Sequence, residues 1–175
     1  MITIKTMNWI KFTVALLAFG FSTLAMAAVQ VDLAVQGSKL VVTGNNAQCS
    51  GGPVDCIDVA KATKPNLFFN LPGACGSQGP NYRLAAFRIG MQSKVWPTPA
   101  NPLPANVAAD FAANPRTGYV DLNHDTNQLR NDKMKLKNKN GSAYSVYYDI
   151  TAAHCTDMTA GDIHLDPEIK NRGGN

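Results

Sequence analysis

The sequence predicts an all-β protein: an antiparallel, Ig-like β-sandwich of about seven or eight strands with a proline-rich loop and one short helix. First, most apolar segments alternate apolar and polar residues with a period of two, as half-buried strands do. Second, glycine, proline, asparagine and aspartate separate these segments. Third, a chain of 175 residues that is 45% hydrophobic and 16% charged is globular in composition, which excludes disordered, collagen-like and coiled-coil chains.

Residues 1–27 have the pattern of an export signal peptide. Lys5 and Lys11 provide a positive start, residues 12–24 are predominantly apolar, and Ala25-Met26-Ala27 fits the small-residue cleavage motif. The apolar run is shorter than the roughly 18 residues that a membrane span needs. We therefore expect export to the periplasm or the medium, with no membrane span after cleavage.

The remaining chain, residues 28–175, is long enough for a single domain with a substantial core. The full sequence has 16 basic and 12 acidic residues, and without Lys5 and Lys11 the net charge falls to about +2. That charge is too small to predict a nucleic-acid partner. The expected partner is an unknown protein, glycan or small-molecule ligand.

Four candidate strands precede the proline-rich loop. The first, residues 29–36, alternates valine or leucine with mostly polar residues, and Gly37-Ser38 is a two-residue hairpin turn into the second, residues 39–43. The third, residues 67–71, stops at a Pro-Gly pair. The fourth, residues 82–91, alternates imperfectly; the pattern places Ala85, Phe87, Ile89 and Met91 on one face.

Four more candidate strands follow the loop. Residues 118–122 form a short fifth run. In the sixth, residues 133–139, lysines alternate with Met134 and Leu136, and Asn140-Gly141 predicts a hairpin into the seventh. Residues 162–165 supply a short eighth strand. The inner face of the seventh strand would consist of Tyr144, Val146, Tyr148 and Ile150.

Two segments break the strand pattern. Residues 96–104 contain four prolines, which excludes a central strand and predicts an extended surface loop. Such a loop could bind a partner domain in the polyproline conformation, but a connector between sheets is the favoured interpretation. Residues 105–113 predict one or two helical turns, ended by Asn114-Pro115.

All four cysteines, Cys49, Cys56, Cys75 and Cys155, lie in the part expected to be exported, where an even number predicts two disulfides. Three pairings are open. The flexible residues 50–55 could close a small loop between Cys49 and Cys56, which would leave Cys75 to pair with Cys155.

Residues 121–132 carry oxygen-bearing side chains at the spacing of a calcium loop, and calcium is the one cofactor that the sequence suggests. Against this hypothesis, the sixth position is Thr126 where the tight turn needs glycine, the twelfth is a short aspartate, and Arg130 adds positive charge. A polar turn between strands explains the same residues. The candidate calcium ligands are Asp121, Asn123, Asp125, Asn127 and Asp132.

A copper site is the second alternative, because one cysteine, two histidines and a methionine form such sites on β-sandwiches. Met158 precedes His164, the reverse of the usual order in blue-copper proteins, and Cys155 would have to be unpaired. Disulfides and solvent-exposed histidines are therefore favoured. The candidate copper ligands are His124, His154, Cys155, Met158 and His164.

The lysines at positions 133, 135, 137 and 139 line one face of one strand. Such a row could bind an acidic surface or a polysaccharide, although the favoured interpretation is that it protects an edge strand from pairing. The sequence has no G-x-S-x-G, H-E-x-x-H or C-x-x-C motif. His154 and Cys155 are neighbours on a strand, so their side chains would diverge. We therefore expect no catalytic residues and no enzyme.

The chain ends in Leu165-Asp166-Pro167-Glu168-Ile169-Lys170-Asn171-Arg172-Gly173, which resembles the closing motif of the DP-EP family. Asp121-Leu122-Asn123 and the aromatic run Tyr144-x-Val146-x-Tyr148 also resemble that family, so the resemblance covers about the last 55 residues. These small bacterial proteins have a β-sandwich fold and no established activity, and the resemblance implies the same here. The motif residues are Asp166, Pro167, Glu168, Ile169 and Asn171.

Two roles are open for this motif. In the structural one, the Asp166 carboxylate accepts backbone N–H groups in a turn, Ile169 is buried, and Asn171 bonds locally. In the functional one, Asp166, Glu168, Asn171 and Arg172 line a polar binding site. The sequence as a whole predicts an exported, disulfide-stabilised β-sandwich that acts by binding or as structure.

Overall fold

The computed structural model describes residues 28–61, 63–123 and 126–173. The predicted signal peptide, residues 1–27, lies outside them. The described chain consists mostly of strands in two packed sheets with one short helix, which confirms the predicted all-β sandwich. Within these ranges, no helix has the length and apolarity to cross a bilayer.

The described residues form ten strands and one helix, two strands more than the upper number predicted: three strands, of two, three and five residues, were not predicted, and the predicted fifth strand does not form. In chain order they are β1 (Val29–Gln36), β2 (Lys39–Asn45), β3 (Ile57–Val59), β4 (Asn66–Asn70), β5 (Tyr82–Gly90), α1 (Ala105–Phe111), β6 (Gln128–Leu129), β7 (Lys133–Lys137), β8 (Ala143–His154), β9 (Ile163–Leu165) and β10 (Glu168–Arg172).

The first sheet, sheet A, has the strand order β2-β1-β4-β7-β6. Its β1–β2 hairpin turns at Gly37, which has a φ of +60°, as the Gly-Ser pair predicted. However, β1 and β4 are parallel, because the chain leaves sheet A after β2, forms β3 in the other sheet and then returns beside β1. Since β3 and β10 are also parallel, the predicted antiparallel pairing is wrong for these two pairs, and both sheets are mixed.

The second sheet, sheet B, is built around the long central strand β8. β5 pairs with one side of β8, whereas β9 and β10 pair in succession with its other side, and β3 lies beyond β10. The gap between β9 and β10 is bridged by the Tyr148 N–H, which donates to the carbonyl of Pro167 at 2.9 Å.

The core between the sheets centres on three aromatic rings, Phe69, Phe87 and Tyr148, whose centroids lie 5.3 to 5.6 Å apart. All three are fully buried, and each such ring stabilises the fold by roughly 1.5–3 kcal/mol through burial alone. The Tyr148 hydroxyl donates to the Asp55 carbonyl at 3.0 Å. Burial raises the pKa of Tyr148 well above its ordinary value, so the phenol stays protonated as a donor.

The imperfect alternation of β5 comes from a bulge between Leu84 and Ala86. The extra residue places Leu84 on the same inner face as Phe87 and Ile89. The predicted inner positions of Ala85 and Met91 are wrong: the bulge takes Ala85 off the inner face, and Met91 lies beyond the end of the strand with 39% of its surface exposed.

The predicted hairpin at Asn140-Gly141 is also wrong, since β7 belongs to sheet A and β8 to sheet B. Asn140 does adopt the left-handed conformation, with a φ of +46°, but it turns the chain across the end of the sandwich. Its buried side-chain amide donates to the carbonyls of Ala60 and Thr63, both at 3.0 Å. The Asn-Gly pair therefore does mark a turn, but this turn connects the two sheets and does not form a hairpin.

The predicted fifth strand, residues 118–122, forms only isolated bridges, from Tyr119 to Arg88 and from Val120 to Ala113. The predicted helical turns are confirmed as α1, which buries Val107 and Phe111. The proline-rich segment is a loop as predicted, but Pro97 and Leu103 are buried and fix it against the sandwich.

Two disulfides join Cys49 to Cys56 and Cys75 to Cys155, and the described residues contain no free cysteine. The first closes the loop before β3, and the second connects the end of β8 to the segment after β4. This is the pairing that the flexible residues 50–55 favoured. Disulfides of this kind are typical of an oxidising extracytoplasmic environment.

Candidate functional site

The outward face of sheet B carries a group of charged and aromatic side chains where β5, β8 and β9 lie side by side. Arg88 of β5 is directly opposite Asp149 of β8, and Thr151 of β8 is opposite His164 of β9. Alternate residues of β8 point to opposite faces, and Tyr148 points into the core. Arg88, Asp149 and His164 therefore share the outward face.

Arg88 is held between two aromatic rings. Its guanidinium carbon lies 5.0 Å from the ring centroid of Trp96 and 5.0 Å from that of Tyr119. Its Nε–H donates to the carbonyl of Thr117 at 2.7 Å. Cation–π contacts with two rings and one hydrogen bond fix the guanidinium plane in place.

The rings reach Arg88 because the chain packs closely around Gly118. This glycine has a φ of +78°, and a Cβ there would lie 2.2 Å from the carbonyl oxygen of Ile89 and 2.9 Å from the ring of Pro97. Only glycine fits between these atoms. Gly118 thus allows the segments bearing Trp96 and Tyr119 to pack closely together beside β5.

Large apolar side chains near this arginine are exposed. Tyr119 is 47% exposed, and Val95 and Met91, which line a cavity with Trp96, are 50% and 39% exposed. Exposed apolar groups that cluster in this way mark interaction surfaces. We call Arg88, Met91, Val95, Trp96 and Tyr119 the Arg88 surface.

A cavity of about 260 Å³ continues the Arg88 surface into the proline-rich loop. Three of its nine lining residues come from the segment after β5 and six from the loop itself. The lining residues are Met91, Gln92, Val95, Trp96, Pro97, Asn101, Pro102, Leu103 and Pro104.

Next to the Arg88 surface, Asp149 is bound to His164. The imidazole Nδ1 lies 3.0 Å and 3.1 Å from the two carboxylate oxygens. Asp149 is buried, whereas His164 is exposed. This contact fixes the orientation of the imidazole and leaves its Nε2 directed away from the carboxylate.

Asp166 lies beside this pair, and its carboxylate is incompletely satisfied. Oδ2 accepts a hydrogen bond from the Ser93 hydroxyl at 3.4 Å, while Oδ1 is buried with no hydrogen-bond partner among the described residues. Burial raises the pKa of Asp166, and the negative charge of Asp149 raises it further. The expected local turn is wrong, because the partners of Asp166 come from the loop after β5, including the backbone N–H of Lys94.

The other motif residues at the C terminus occupy different faces. Ile169 is fully buried as predicted, and Glu168 points outward towards Lys170, with 3.8 Å between Oε2 and Nζ. Arg172 forms a bidentate pair with Asp58, which lowers the pKa of Asp58. The polar motif residues therefore do not converge on one site.

Asn171 is buried and forms a reciprocal amide pair with Asn138, at 2.7 Å and 3.3 Å. Asn138 also accepts the backbone N–H of Asn140 at 2.8 Å. The expectation that Asn171 bonds locally is wrong, because its partner is 33 residues away in the crossing between the sheets. Asn171 connects the final strand to that crossing.

Three of the candidate calcium ligands, Asp121, Asn123 and Asn127, lie together in one turn, but Asp132 is apart from them. The Asn127 amide donates to the Asp121 carbonyl at 2.8 Å and accepts the Lys137 N–H at 2.9 Å, so both of its polar atoms are engaged. Asp121 accepts the Asn123 N–H at 2.9 Å in a local turn. Asp132 lies in the turn at the far end of β6, about 10 Å of extended chain beyond Asn127. Asp125 lies outside the described residues.

The candidate copper ligands are separated as well. Cys155 is bonded to Cys75 and has no thiolate to offer, which removes the sulfur ligand on which the copper hypothesis depends. His154 faces the core side of β8, edge-on to Tyr82, whereas His164 is on the outward face. Met158 is 99% exposed, and His124 lies outside the described residues.

Within the described ranges, no three His, Cys, Asp or Glu side chains form a group that could hold a metal ion. Sequence reasoning missed Arg88, Trp96 and Tyr119 as a group, because Trp96 lies in an irregular segment after β5, Tyr119 follows α1, and only the close packing at Gly118 brings them together. Two aromatic residues in irregular, proline-flanked segments were the available signal.

The sequence matches no protein-family model, and no curated protein is significantly similar to it. Fold and surface together define the class of the molecule as a disulfide-linked, two-sheet β-sandwich with an arginine held between aromatic rings on one outer face.

Proposed function

We propose that this chain is an exported, non-enzymatic binding protein that docks a protein partner through the Arg88 surface. The observation that carries the proposal is the position of the Arg88 guanidinium, 5.0 Å from two ring centroids, with exposed Met91 and Val95 lining a cavity beside Trp96. Tryptophan, tyrosine, methionine and arginine are the residue types enriched at the centres of protein interfaces.

The geometry favours recognition because the groups are fixed before a partner arrives. Arg88 is on the sheet strand β5, and its Nε–H is already bonded to Thr117, so the outer N–H groups of the guanidinium remain to meet a carboxylate of the partner. The neighbouring apolar side chains would exclude water from that contact. Groups held on a rigid sheet lose little conformational entropy on binding.

Export is supported by the signal-peptide pattern of residues 1–27 and by the two disulfides. The resemblance to the DP-EP family is compatible with a binding role, because that family has a β-sandwich fold and no established activity. Periplasm and medium are both consistent with this proposal.

We base the proposal that the protein is not an enzyme on the arrangement around His164. Asp149 orients His164, as a carboxylate orients a general base, but the nearby Ser93 hydroxyl bonds to Asp166. No described nucleophile is hydrogen-bonded to His164. We propose that Asp149, His164 and Asp166 provide polar contacts at the rim of the interface.

The proposal is tested by photo-crosslinking in the cells that naturally produce the protein. The photoreactive residue p-benzoylphenylalanine is introduced at position 119, and a control chain carries it at the fully exposed position 158 beyond the opposite end of β5. We expect one discrete protein adduct from position 119, none from position 158, and loss of the adduct when Arg88→Met is added. No adduct at 119, or the same adduct from both positions, would contradict the proposal.

A further inference from the structure

A second charged surface lies on the outward face of sheet A. Lys133, Lys135 and Lys137 alternate along β7 with the buried Met134 and Leu136, so their side chains share the outward face. Alternate residues of a strand are about 7 Å apart, which places three ammonium groups along about 13 Å. With Arg130 in the preceding turn and Phe68 on the neighbouring strand β4, these lysines form what we call the lysine face.

Protection of an edge strand does not account for these lysines, because β7 is not an edge strand. β4 pairs with one side of it, and β6 covers the other through Gln128 and Leu129. Beyond β6, the Lys137 N–H donates to the Asn127 side chain at 2.9 Å, and the Lys133 carbonyl accepts the Arg130 N–H at 2.7 Å. The outer backbone groups of β7 are thus already paired.

The charge of the lysine face is not neutralised within the described part of the chain. The three ion pairs formed there all belong to sheet B and join Asp149 to His164, Glu168 to Lys170, and Asp58 to Arg172. On β4, each lysine lies opposite an uncharged residue: Asn70, Phe68 and Asn66. The lysine face has four cations, Arg130 and the three lysines. With Asp132, which lies in the same turn as Arg130, its net charge is +3.

The lysine face also contains an aromatic ring, that of Phe68. Phe68 is opposite Lys135 and is half-buried, and a shallow cavity of about 170 Å³ lies above it. Its lining residues are Phe68, Gln128, Arg130, Lys133 and Lys135. An apolar ring between cations suits a ligand that has apolar faces between its anionic groups, as the rings of a uronic-acid polymer do.

We propose that the lysine face binds an anionic polysaccharide, with its ammonium groups contacting successive carboxylates or sulfates and Phe68 contacting a sugar ring. The lysine face and the Arg88 surface are on opposite sheets, so this binding is independent of the protein partner proposed above. A row of exposed lysines gives affinity that depends on charge and therefore on ionic strength.

A polysaccharide is favoured over nucleic acid on two grounds. The net charge expected after export, about +2, is small for a nucleic-acid-binding domain. The lysine face has one aromatic ring, whereas single-stranded nucleic acid is bound by stacking successive bases on several.

The test uses the chain lacking residues 1–27, sodium polygalacturonate as probe, dextran as neutral control and single-stranded DNA as competing polyanion. One variant carries Lys133→Gln, Lys135→Gln and Lys137→Gln. The matched control carries Lys39→Gln, Lys61→Gln and Lys170→Gln, the same loss of charge at other surfaces. Equal melting temperatures of the three proteins establish that each is folded.

We expect the wild type to bind polygalacturonate at low salt and not dextran, with affinity that falls as salt rises. The lysine-face variant should lose at least tenfold in affinity, and the control variant less than twofold. No binding of polygalacturonate, equal losses in both variants, or tighter binding of the DNA would overturn the proposal. The photo-crosslink at position 119 should be unchanged in the lysine-face variant, so the two proposals can fail separately.

Discussion

Arg88 and Asp149 occupy directly opposed positions on β5 and β8, yet no ion pair joins them in the described structure. The guanidinium lies against Trp96 and Tyr119, and the carboxylate is bound to His164. Opposite charges on paired strands normally attract. Here each charge is fixed by another partner: the guanidinium lies on the Arg88 surface, and the buried Asp149 carboxylate holds the exposed His164.

The two disulfides should contribute unequally to stability. Replacing Cys75 and Cys155 by alanine opens a loop with a sequence separation of 80 and should lower the free energy of unfolding by about 4 kcal/mol, because the unfolded chain regains that freedom. The same change at Cys49 and Cys56, whose separation is 7, should cost about 2.5 kcal/mol. Urea unfolding of both variants measures the difference, and a larger loss for the short loop would contradict this ranking.

The buried pair of Asn138 and Asn171 should act as one unit. Asn171→Ala removes both hydrogen bonds and leaves the buried Asn138 NH2 group without its partner, so we expect a loss of about 2 kcal/mol in unfolding free energy. The double variant with Asn138→Ala should cost less than the sum of the two single changes. A double-mutant cycle in urea measures this coupling, and strictly additive losses would show that the amides act independently.

Asp166 should make the protein less stable as the pH rises. Burial raises its pKa in the folded state, so ionisation favours the unfolded chain; this penalty is absent below the ordinary pKa of about 3.8 and complete above the folded pKa. Asp166→Asn should therefore gain stability over the wild type at pH 7 and lose that gain at pH 3. Urea unfolding at both pH values measures the gain.

Asp157 is the matched control for this prediction because its pKa shifts the other way. The Thr159 side-chain hydroxyl and backbone N–H lower the pKa of Asp157, so ionisation stabilises the folded state. Asp157→Asn should then lose stability relative to the wild type as the pH rises from 3 to 7. If both variants respond to pH with the same sign, the explanation for Asp166 is wrong.

Calcium should not stabilise the protein. Both polar atoms of the Asn127 amide are engaged, and Asp132 is at the other end of β6. We expect the same melting temperature with 5 mM calcium chloride, roughly a hundredfold above the dissociation constant of a moderate site, and with chelator. A rise of several degrees that chelator reverses would restore the calcium hypothesis, with Asp121 and Asp125 as its first ligands.

The period-two pattern predicted the strands that bury one face, because burial on a single side imposes that alternation on the sequence. It located β1, β2, β4, β7 and β8 to within a few residues. It missed β3, β6 and β10: β6 has only two residues, and β3 and β10 pair with chain segments far away. It could not separate a hairpin from a crossing between sheets at Asn140, since both need the same left-handed residue.

The candidate surface was harder to predict than the fold. Arg88 meets Trp96 and Tyr119 only because Gly118 permits a close approach and the bulge at Leu84 sets which β5 residues point outward. Both features depend on contacts between separate chain segments, which the local sequence pattern does not reveal. The disulfide pairing was easier, because a short flexible segment between two cysteines limits where they can be.

Two methionines of this protein allow a direct test of whether a partner covers the Arg88 surface. Met91 is on the Arg88 surface and is 39% exposed, and Met158 is 99% exposed in the loop after β8. Oxidation by dilute hydrogen peroxide, followed by mass spectrometry, compares the two rates in the purified protein and in intact producing cells. If a protein partner covers the Arg88 surface, oxidation of Met91 slows severalfold in cells while that of Met158 does not; an unchanged ratio of the two rates would contradict the account.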